Sequence, residues 1–416
     1  MAQNDIEQSS ITAEVIDALW QGAESLREGM VDFTRRLIQK QSLPGRESEL
    51  ATILAAEMRS LGYDDVQLDE AGNVIGHIRA TSEPPAGREK RRVMLNTHMD
   101  HVDVGDPTNW PHPPYEAVIE NGEIWGRGAS DLKGALACHV YAGALLKRLG
   151  LPLVNDVYVV GVVQEEVGGL GSSVLADNLP VDFVVIGEPS ENRLALGHRG
   201  RIEIVVTITG KSVHASVPQT GINPLYSMSR FLAALEGLRF EAHPDHAELG
   251  PTSIAPTLFS TDQASANVVP GECRVVLDVR NSPADTPDAI LGRVQEILDA
   301  SLQGGATAKA VVPPFTLTSY TGVTRTLSGH GAYSIPSDGP VAIAACSIIG
   351  AALKREVPTQ MWRFATDAGY FVEKGCGIIG FGPGFEDVIH TVDERISIQM
   401  MVEGMVASAA LALELS

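Results

Sequence analysis

Short apolar runs that end in metal-ligating side chains are the feature that most constrains the fold of this chain. Residues 93–95 are continuously apolar, and His98 and Asp100 follow where the run ends. Residues 157–163 and 181–186 form similar runs, which are typical of strands buried on both faces of a sheet. Helical patterns alternate with these strands, so the chain is predicted to form a three-layer α/β domain with a mostly parallel sheet.

Helical periodicity supports this architecture. Apolar residues recur at helical spacing from about residue 10 to 41, where Ser10 could cap the first turn. Further helices are predicted at residues 47–61, 132–149 and 341–353. The apolar tail, residues 396–415, is interrupted by Gln399, Glu403 and Glu414, which predicts a core-facing terminal helix and not a membrane span.

The pattern changes after residue 197. Residues 201–209 alternate and are β-branched, which is typical of a half-exposed antiparallel strand. Residues 267–269 and 273–280 predict more strands, and residues 224–238 and 288–302 predict two helices. The sequence therefore predicts a small α+β, ferredoxin-like insert of residues 198–313 in an α/β domain of residues 1–197 and 314–416. Two domains are expected because 416 residues exceed the roughly 250–300 that one core usually serves.

Net charge and cysteine content limit the classes of binding partner and the cellular location that this chain can be expected to have. The net charge of -21 argues against a nucleic-acid partner, which would need a basic face. Solubility is the simplest reason for this acidity, and attraction of cationic substrates is the alternative. The four cysteines are far apart, and the N-terminus lacks the basic and apolar regions of a signal peptide, so a reduced, cytoplasmic location is predicted.

Polar side chains converge on one edge of the predicted sheet. Ligands of open α/β sheets bind beyond the carboxyl ends of the strands. Five side chains follow predicted strands, directly or after a short loop: His98, Glu165, Glu166, Glu188 and His390. With the loop residue Asp131 they form a nitrogen and oxygen donor set that suits zinc, manganese or cobalt. Alone, His98 would be interpreted as a core histidine and Glu165–Glu166 as a solvated pair.

Five segments resemble, in the same order, the metal-dependent amidohydrolases that include acetylornithine deacetylase, succinyl-diaminopimelate desuccinylase, aminoacylase and glutamate carboxypeptidase. They are residues 95–100, 126–134, 165–166, 187–190 and 390–394. The resemblance extends from about residue 12 to 416 and includes the position of the insert. It implies a catalytic domain interrupted by a lid that also forms a homodimer.

The resemblance also implies a role for each residue of the metal site. Asp131 would bridge two divalent metal ions, zinc being favoured over manganese or cobalt. The remaining ligands would be His98 and Glu188 for one metal, and Glu166 and His390 for the other. Asp100 would orient the ring of His98, and Glu165 would be the general base that passes a proton from the attacking water to the leaving nitrogen.

The lid and a late loop would supply the substrate contacts. His214 would reach across the dimer and stabilise the tetrahedral oxyanion. Asn267 and Arg280 would bind a substrate carboxylate, which an arginine fork suits well. Gly382 and Gly384 would belong to a glycine-rich substrate loop. Each residue also has a purely structural alternative. His214 would be a surface histidine, Asn267 and Arg280 ordinary strand residues, and the two glycines part of a plain turn.

The function implied by the resemblance is hydrolysis of the amide C–N bond of a small N-acyl amino acid or peptide with a free carboxylate. Dipeptidase and carboxypeptidase activities remain open, as do aryl amide, carbamoyl and arylamine substrates. A non-catalytic binding protein on the same fold is the other class of function, and the intact base and five ligands argue against it. His101, where relatives usually carry an apolar or small hydroxyl residue, could reshape the pocket.

Overall fold

The computed structural model describes residues 11–84 and 90–415. The first part alternates helices with strands: α1 (Ala13–Ile38), α2 (Ser48–Ser60), β1 (Asp65–Leu68), β2 (Val74–Ile78), β3 (Arg92–His98), β4 (Val118–Glu120), β5 (Glu123–Trp125), α3 (Gly134–Leu149), β6 (Asp156–Val162), α4 (Leu170–Asn178), β7 (Phe183–Ile186) and β8 (Leu194–His198). The insert follows: β9 (Gly200–Thr209), β10 (Val213–His214), α5 (Pro224–Leu235), β11 (Ser253–Thr261), β12 (Val268–Val269), β13 (Glu272–Asn281), α6 (Pro287–Ser301) and β14 (Thr307–Val311). The last part contains β15 (Phe315–Thr318), β16 (Thr324–Leu327), β17 (Tyr333–Ser334), α7 (Pro340–Leu353), β18 (Thr359–Trp362), α8 (Ala368–Val372), β19 (Gly377–Gly380), β20 (Arg395–Ser397) and α9 (Ile398–Glu414).

The largest sheet has the order β1-β2-β6-β3-β7-β19-β8-β17, with β18 also paired to β8. Its centre, β6-β3-β7-β19, is parallel, whereas β1, β2 and β17 pair antiparallel with their neighbours. The predicted parallel strands thus form the middle of a mixed sheet. They are the strands with continuous apolar sequences because both of their faces are covered.

Two layers of helices cover this sheet and give the predicted three-layer α/β architecture. Helices α1, α2, α3, α7 and α9 contribute to one apolar cluster, represented by Phe33 and Met405. The other cluster includes α4 and α8, through Leu175 and Phe371. Helix α9 buries most of its length, as predicted, and no helix among residues 11–84 and 90–415 is long and apolar enough to cross a membrane.

The insert has a separate sheet and a separate apolar core. Its four antiparallel strands have the order β11-β13-β9-β14, and α5 and α6 pack against them. Ile204 and Leu277 of the sheet meet Phe231 of α5 and Val294 of α6 in this core. The predicted α+β character of the insert is therefore present, and we call the insert the lid. The exact domain boundaries at residues 197/198 and 313/314 stay predictions.

Local details differ from the predictions for identifiable reasons. Thr12 caps α1 by accepting a hydrogen bond from the Val15 amide, while the predicted cap, Ser10, lies outside the described residues. Strand β8 was not predicted because its sequence ends in Gly197 and His198 and lacks β-branched residues. Strand β11 was missed because it contains Pro256, which the structure places at a register shift in an edge strand, where proline is tolerated.

Candidate metal centre

Four adjacent parallel strands end at the same edge of the large sheet. Strand β3 ends in His98, β7 is followed by Glu188, and the loop after β6 carries Glu165 and Glu166. Because β6, β3 and β7 are parallel neighbours, their carboxyl ends bring these side chains together from distant parts of the sequence. This confirms that the strand-end residues converge, as the apolar runs predict.

The loop before α3 brings Asp131 to the same edge. Glu394 holds this loop, since its Oε1 accepts hydrogen bonds from the amides of Ser130 and Asp131, 3.2 and 3.1 Å away. Its Oε2 pairs with Arg127 Nη1 at 2.5 Å, and both side chains are almost fully buried. Burial outweighs the charge of Arg127 and raises the pKa of Glu394 to about 7. The residues before β20 are thus tied to the residues before α3.

Asp131 lies between two histidines. Its Oδ1 is 2.9 Å from His98 Nε2, and its Oδ2 is 3.0 Å from His390 Nε2. His98 is also 3.7 Å from Glu188 Oε1, and His390 is 3.1 Å from Glu166 Oε2. One carboxylate therefore has a histidine and a glutamate on each side, which is the arrangement that a pair of bridged metal ions requires.

Asp100 contacts His98 and both of the adjacent glutamates. Its backbone carbonyl lies 3.0 Å from His98 Nδ1, which leaves Nε2 of that ring facing Asp131. Its carboxylate oxygens accept hydrogen bonds from the amides of Glu165 and Glu166, at 3.1 and 3.2 Å. The sequence predicted only the contact with the histidine. The contact with the two glutamates was missed because it joins two strand ends that are 65 residues apart.

Burial and neighbouring charges shift the pKa values of the clustered side chains. Burial, followed by the charges of Glu188 and Asp367, raises the pKa of Glu165 well above its usual value. Burial opposes the charged form of His98, but Asp131 and Glu188 outweigh it and raise the pKa of that ring. Hydrogen bonds to Asp131 and Glu166 raise the pKa of His390 to about 10.

The donor set fits divalent cations. Imidazole nitrogens and carboxylate oxygens are the ligands that zinc and manganese share. One buried atom, Oε1 of Glu166, has no hydrogen-bond partner, although its side chain is only 6% exposed. Buried carboxylates are stable when they are paired or coordinate a metal. Cations at Asp131 would therefore satisfy groups that the described residues leave without compensation.

The lid residues form a second group, on a two-stranded ribbon. His214 of β10 pairs with Val268 of β12, and the carbonyl of Asn267 accepts a hydrogen bond from the Ala215 amide. His214 and Asn267 are both exposed. Within the described part of the chain, His214 makes no ion pair with a carboxylate, and Nδ1 of its ring is used by Ser216. The structure thus brings these two residues together but does not join them to the metal centre.

Arg280 lies closer to the centre than the other lid residues. Its Nε donates to Asp278 Oδ1 at 2.7 Å. Burial lowers the pKa of His330 to about 4, and the charges of Arg201 and Arg280 add to this effect. His330 and Asp367 each place a ligand atom within 4.8 Å of the Glu165 carboxylate. His330 is therefore influenced by Arg280 and lies beside the Glu165 carboxylate.

Gly382 and Gly384 allow two loops to pack closely. A Cβ atom at Gly382 would lie 2.1 Å from the Gly187 carbonyl oxygen, and the Gly382 carbonyl accepts the Ser190 amide. Gly384 has a φ of 122°, in the region that favours glycine. This packing holds the Glu188 loop in place. Contact of either glycine with a substrate stays a prediction.

His101 has a structural explanation. Its ring is fully buried, with Nδ1 2.7 Å from the Val102 carbonyl, and Nε2 accepts the Ser42 amide at 3.0 Å. Burial lowers its pKa to about 3, so the ring is neutral and both nitrogens are used. Reshaping of the pocket by His101 stays a prediction. The functional candidates to which sequence reasoning gave no role are Glu394 and His330, because their positions depend on long-range contacts. Asp367, with Thr366, was implied by the resemblance to lie at a pocket position.

Comparison with known proteins identifies the family. Residues 94–414 match the model of Peptidase family M20/M25/M40, which is more than half of the chain. The chain belongs to this family. It is therefore a metallohydrolase of amide bonds, which confirms the enzyme class that the resemblance implies.

Relatives cover nearly the whole chain. An Escherichia coli protein, YgeY, described as uncharacterized, is 29% identical over 383 residues, covering 89% of this chain and 91% of the relative. A succinyl-diaminopimelate desuccinylase from Hydrogenovibrio crunogenus is 24% identical and covers 88% of this chain and 94% of the relative. The structure of Bacillus subtilis YxeP, a dinuclear metal-binding M20 peptidase, superposes with a TM-score of 0.70 at 14% identity, covering 94% and 99% of the two chains.

Proposed function

We propose that this family member hydrolyses the amide bond of a small N-acyl amino acid or peptide with a free carboxylate, with Glu165 as the general base. The observation that carries this proposal is Asp131 flanked by His98 and His390, with Glu165 at the same sheet edge. Two divalent ions are proposed to occupy the centre, zinc being favoured over manganese and cobalt. His98, Asp131 and Glu188 would hold one, and Asp131, Glu166 and His390 the other.

Each side chain has a proposed task in the reaction. Bound divalent cations supply Lewis acidity, which polarises the substrate carbonyl and makes water more acidic. Glu165 would accept the proton of the attacking water on a carboxylate oxygen and pass it to the leaving nitrogen. Burial raises the pKa of Glu165, which makes its carboxylate a stronger base than an exposed glutamate. Asp100 would keep Glu165 in position through the backbone hydrogen bond to its amide.

His214 is proposed to stabilise the oxyanion from the partner subunit. The Ser216 amide donates to His214 Nδ1 at 3.2 Å, so the proton of the neutral ring is on Nε2. An exposed Nε2–H group is a suitable donor for a developing negative charge. Arg280 and Asn267 are proposed to bind the substrate carboxylate, and Gly382 and Gly384 to border it.

The proposal is tested by measuring the hydrolysis of a panel of N-acetyl amino acids, N-succinyl amino acids and dipeptides. The protein is stripped of metal, and zinc, manganese or cobalt is then added back. We expect no turnover without metal and turnover of carboxylate-bearing substrates with it. Aryl amides and carbamoyl compounds form the second arm, because Arg280 is already paired with Asp278 and this leaves the carboxylate requirement open. Turnover in that arm alone would contradict the acyl amino acid assignment.

A homodimer through the lid is part of the proposal. Strand β11 is an edge strand of the lid sheet, and its Leu258 and Phe259 are 68% and 53% exposed. Tyr226 on α5 is 67% exposed. Large exposed apolar side chains beside an open strand edge favour association with another chain.

Mixing two inactive variants tests the role of His214 across this dimer. We expect a one-to-one mixture of His214→Ala and Glu165→Gln to recover about a quarter of the wild-type activity, because half of the random dimers are mixed and each has one intact site. Each variant alone gives the background. Recovery of none, in a mixture shown to exchange subunits, would mean that His214 acts within its own subunit. Wild-type activity of His214→Ala alone would mean that His214 has no role in the reaction.

A cytoplasmic location is also proposed. The four cysteines are free, and Cys138 and Cys273 are buried. Sparse, unpaired cysteines are typical of proteins kept in a reducing compartment. Fractionation of the source cells would test this location directly.

A further inference from the structure

A second cluster of ligand atoms lies beside the metal centre and is not used by the proposed reaction. It consists of Glu165, His330 and Asp367, each with one ligand atom within 4.8 Å of the others. Glu165 comes from the loop after β6, His330 precedes β17, and Asp367 precedes α8. The cluster therefore joins three separated segments and shares only Glu165 with the catalytic centre.

Asp367 is the unusual member of this cluster. The residue is 2% exposed, and neither carboxylate oxygen has a hydrogen bond of good geometry. Burial raises its pKa to about 6, while the nearby Ser172 hydroxyl only partly opposes this effect. A buried carboxylate in this condition costs free energy unless a cation or proton compensates it. The geometry thus leaves a buried anionic group beside a second carboxylate, that of Glu165.

His330 supplies a neutral nitrogen to the same space. Its Nδ1 is buried and has no hydrogen-bond partner. With its pKa near 4, the ring is uncharged at neutral pH and offers a lone pair to a cation. Two carboxylates and one imidazole form the donor set of many zinc sites, whereas magnesium and calcium prefer oxygen alone.

Glycine at position 169 allows the chain to pack closely against Asp367. Gly169 leaves room beside Asp367, since a Cβ atom there would lie 2.2 Å from Asp367 Oδ1 and 2.6 Å from Tyr370 Cε2. The Tyr370 hydroxyl donates to the Gly168 carbonyl at 2.6 Å and so closes this side. The half-buried Glu165 is the member of the cluster that faces the catalytic centre.

We propose that Glu165, His330 and Asp367 form an inhibitory zinc site, distinct from the two catalytic metals. A zinc ion held there would occupy the carboxylate lone pair with which Glu165 takes up a proton. No bond in the substrate is made or broken in this state, and removal of the ion restores the base. The proposal rests on Glu165 being the general base, so its consequence for activity depends on the proposed function, whereas the binding of zinc does not.

The test counts zinc ions and measures activity on the same samples. Wild-type protein is dialysed against increasing free zinc, bound zinc is determined by mass spectrometry, and turnover is followed. We expect one further zinc ion to bind, more weakly than those of the catalytic centre. Activity should fall over the range of free zinc concentration in which this ion binds. Asp367→Asn and His330→Gln should each lose this equivalent and the inhibition. Asp338→Asn, which removes a carboxylate at an exposed position, should retain both.

Two results would overturn the proposal. One is a wild-type protein that binds no equivalent beyond the catalytic metals. The other is a weak equivalent that persists in both Asp367→Asn and His330→Gln, which would place it elsewhere. Loss of the equivalent in these variants, with no hydrolysis of any substrate by wild-type protein, would support the zinc site while contradicting the proposed function. Two independent variants keep the result interpretable if one of them fails to fold.

Discussion

Replacement of Glu165 by glutamine is expected to lower kcat by about 10²- to 10⁴-fold, the usual contribution of a general base. The amide keeps the shape of the side chain but cannot accept the proton of the attacking water. Metal content should not change, because the proposed ligands are other side chains. Kinetics and metal content measured on the same sample check both expectations.

The same substitution should not destabilise the fold. Burial and two neighbouring carboxylates disfavour the charged form of Glu165, so a neutral amide removes repulsion. Glu373→Gln, at an exposed position, is the matched control and should have wild-type kinetics. If Glu165→Gln retained kcat within about threefold, a value far below the general-base contribution, the base would have to be another residue.

Loss of Arg127 is expected to produce the largest change in stability. Arg127→Met would leave Glu394 buried without its cationic partner, at a cost of about 3–5 kcal/mol in the free energy of unfolding. The arginine also packs over the ring of Trp110 at 4.8 Å, so packing adds to the loss. Urea unfolding of the metal-free protein measures this cost without the contribution of bound metal.

Two comparisons separate the buried pair from charge loss in general. Arg27→Met breaks an exposed pair with Glu24 and should cost about 0–1 kcal/mol. The double variant Arg127→Met/Glu394→Gln should recover part of the stability, because glutamine is neutral and still offers an oxygen to the amides of Ser130 and Asp131. A single Arg127→Met variant as stable as Arg27→Met would contradict this role of the buried pair.

The two measurements probe different parts of one arrangement. Glu165 is proposed to act in the chemical step, whereas Arg127 acts through Glu394 on the backbone that carries Asp131. A change in Arg127 should therefore alter metal affinity as well as stability. Metal titration of the folded variant would detect this second effect.

The sequence could predict the elements whose signals are local. The apolar runs before His98 and Glu188 identify buried strands, because strands covered on both faces are rich in apolar residues. The order of the short motifs implied the family, which the comparison confirms. The alternating residues 201–209 likewise predicted a half-exposed strand of the lid.

Contacts between distant segments were decided by the tertiary structure. Glu394 accepts amide hydrogen bonds from residues more than 260 positions earlier, and no periodic pattern encodes such a contact. The antiparallel edges of the large sheet and the proline-containing strand β11 depend on neighbouring strands in the same way. Residue type alone also gave no role to His330.

The sequence by itself therefore determined the central strands, the two kinds of sheet and the polar side chains at the strand ends, since side-chain polarity and spacing record burial directly. Only the tertiary structure decided that Asp131 lies between His98 and His390, that Asp100 holds the two glutamates, and that His330 and Asp367 face Glu165. These arrangements arise from strand order and loop packing, which place residues close together irrespective of their separation along the chain.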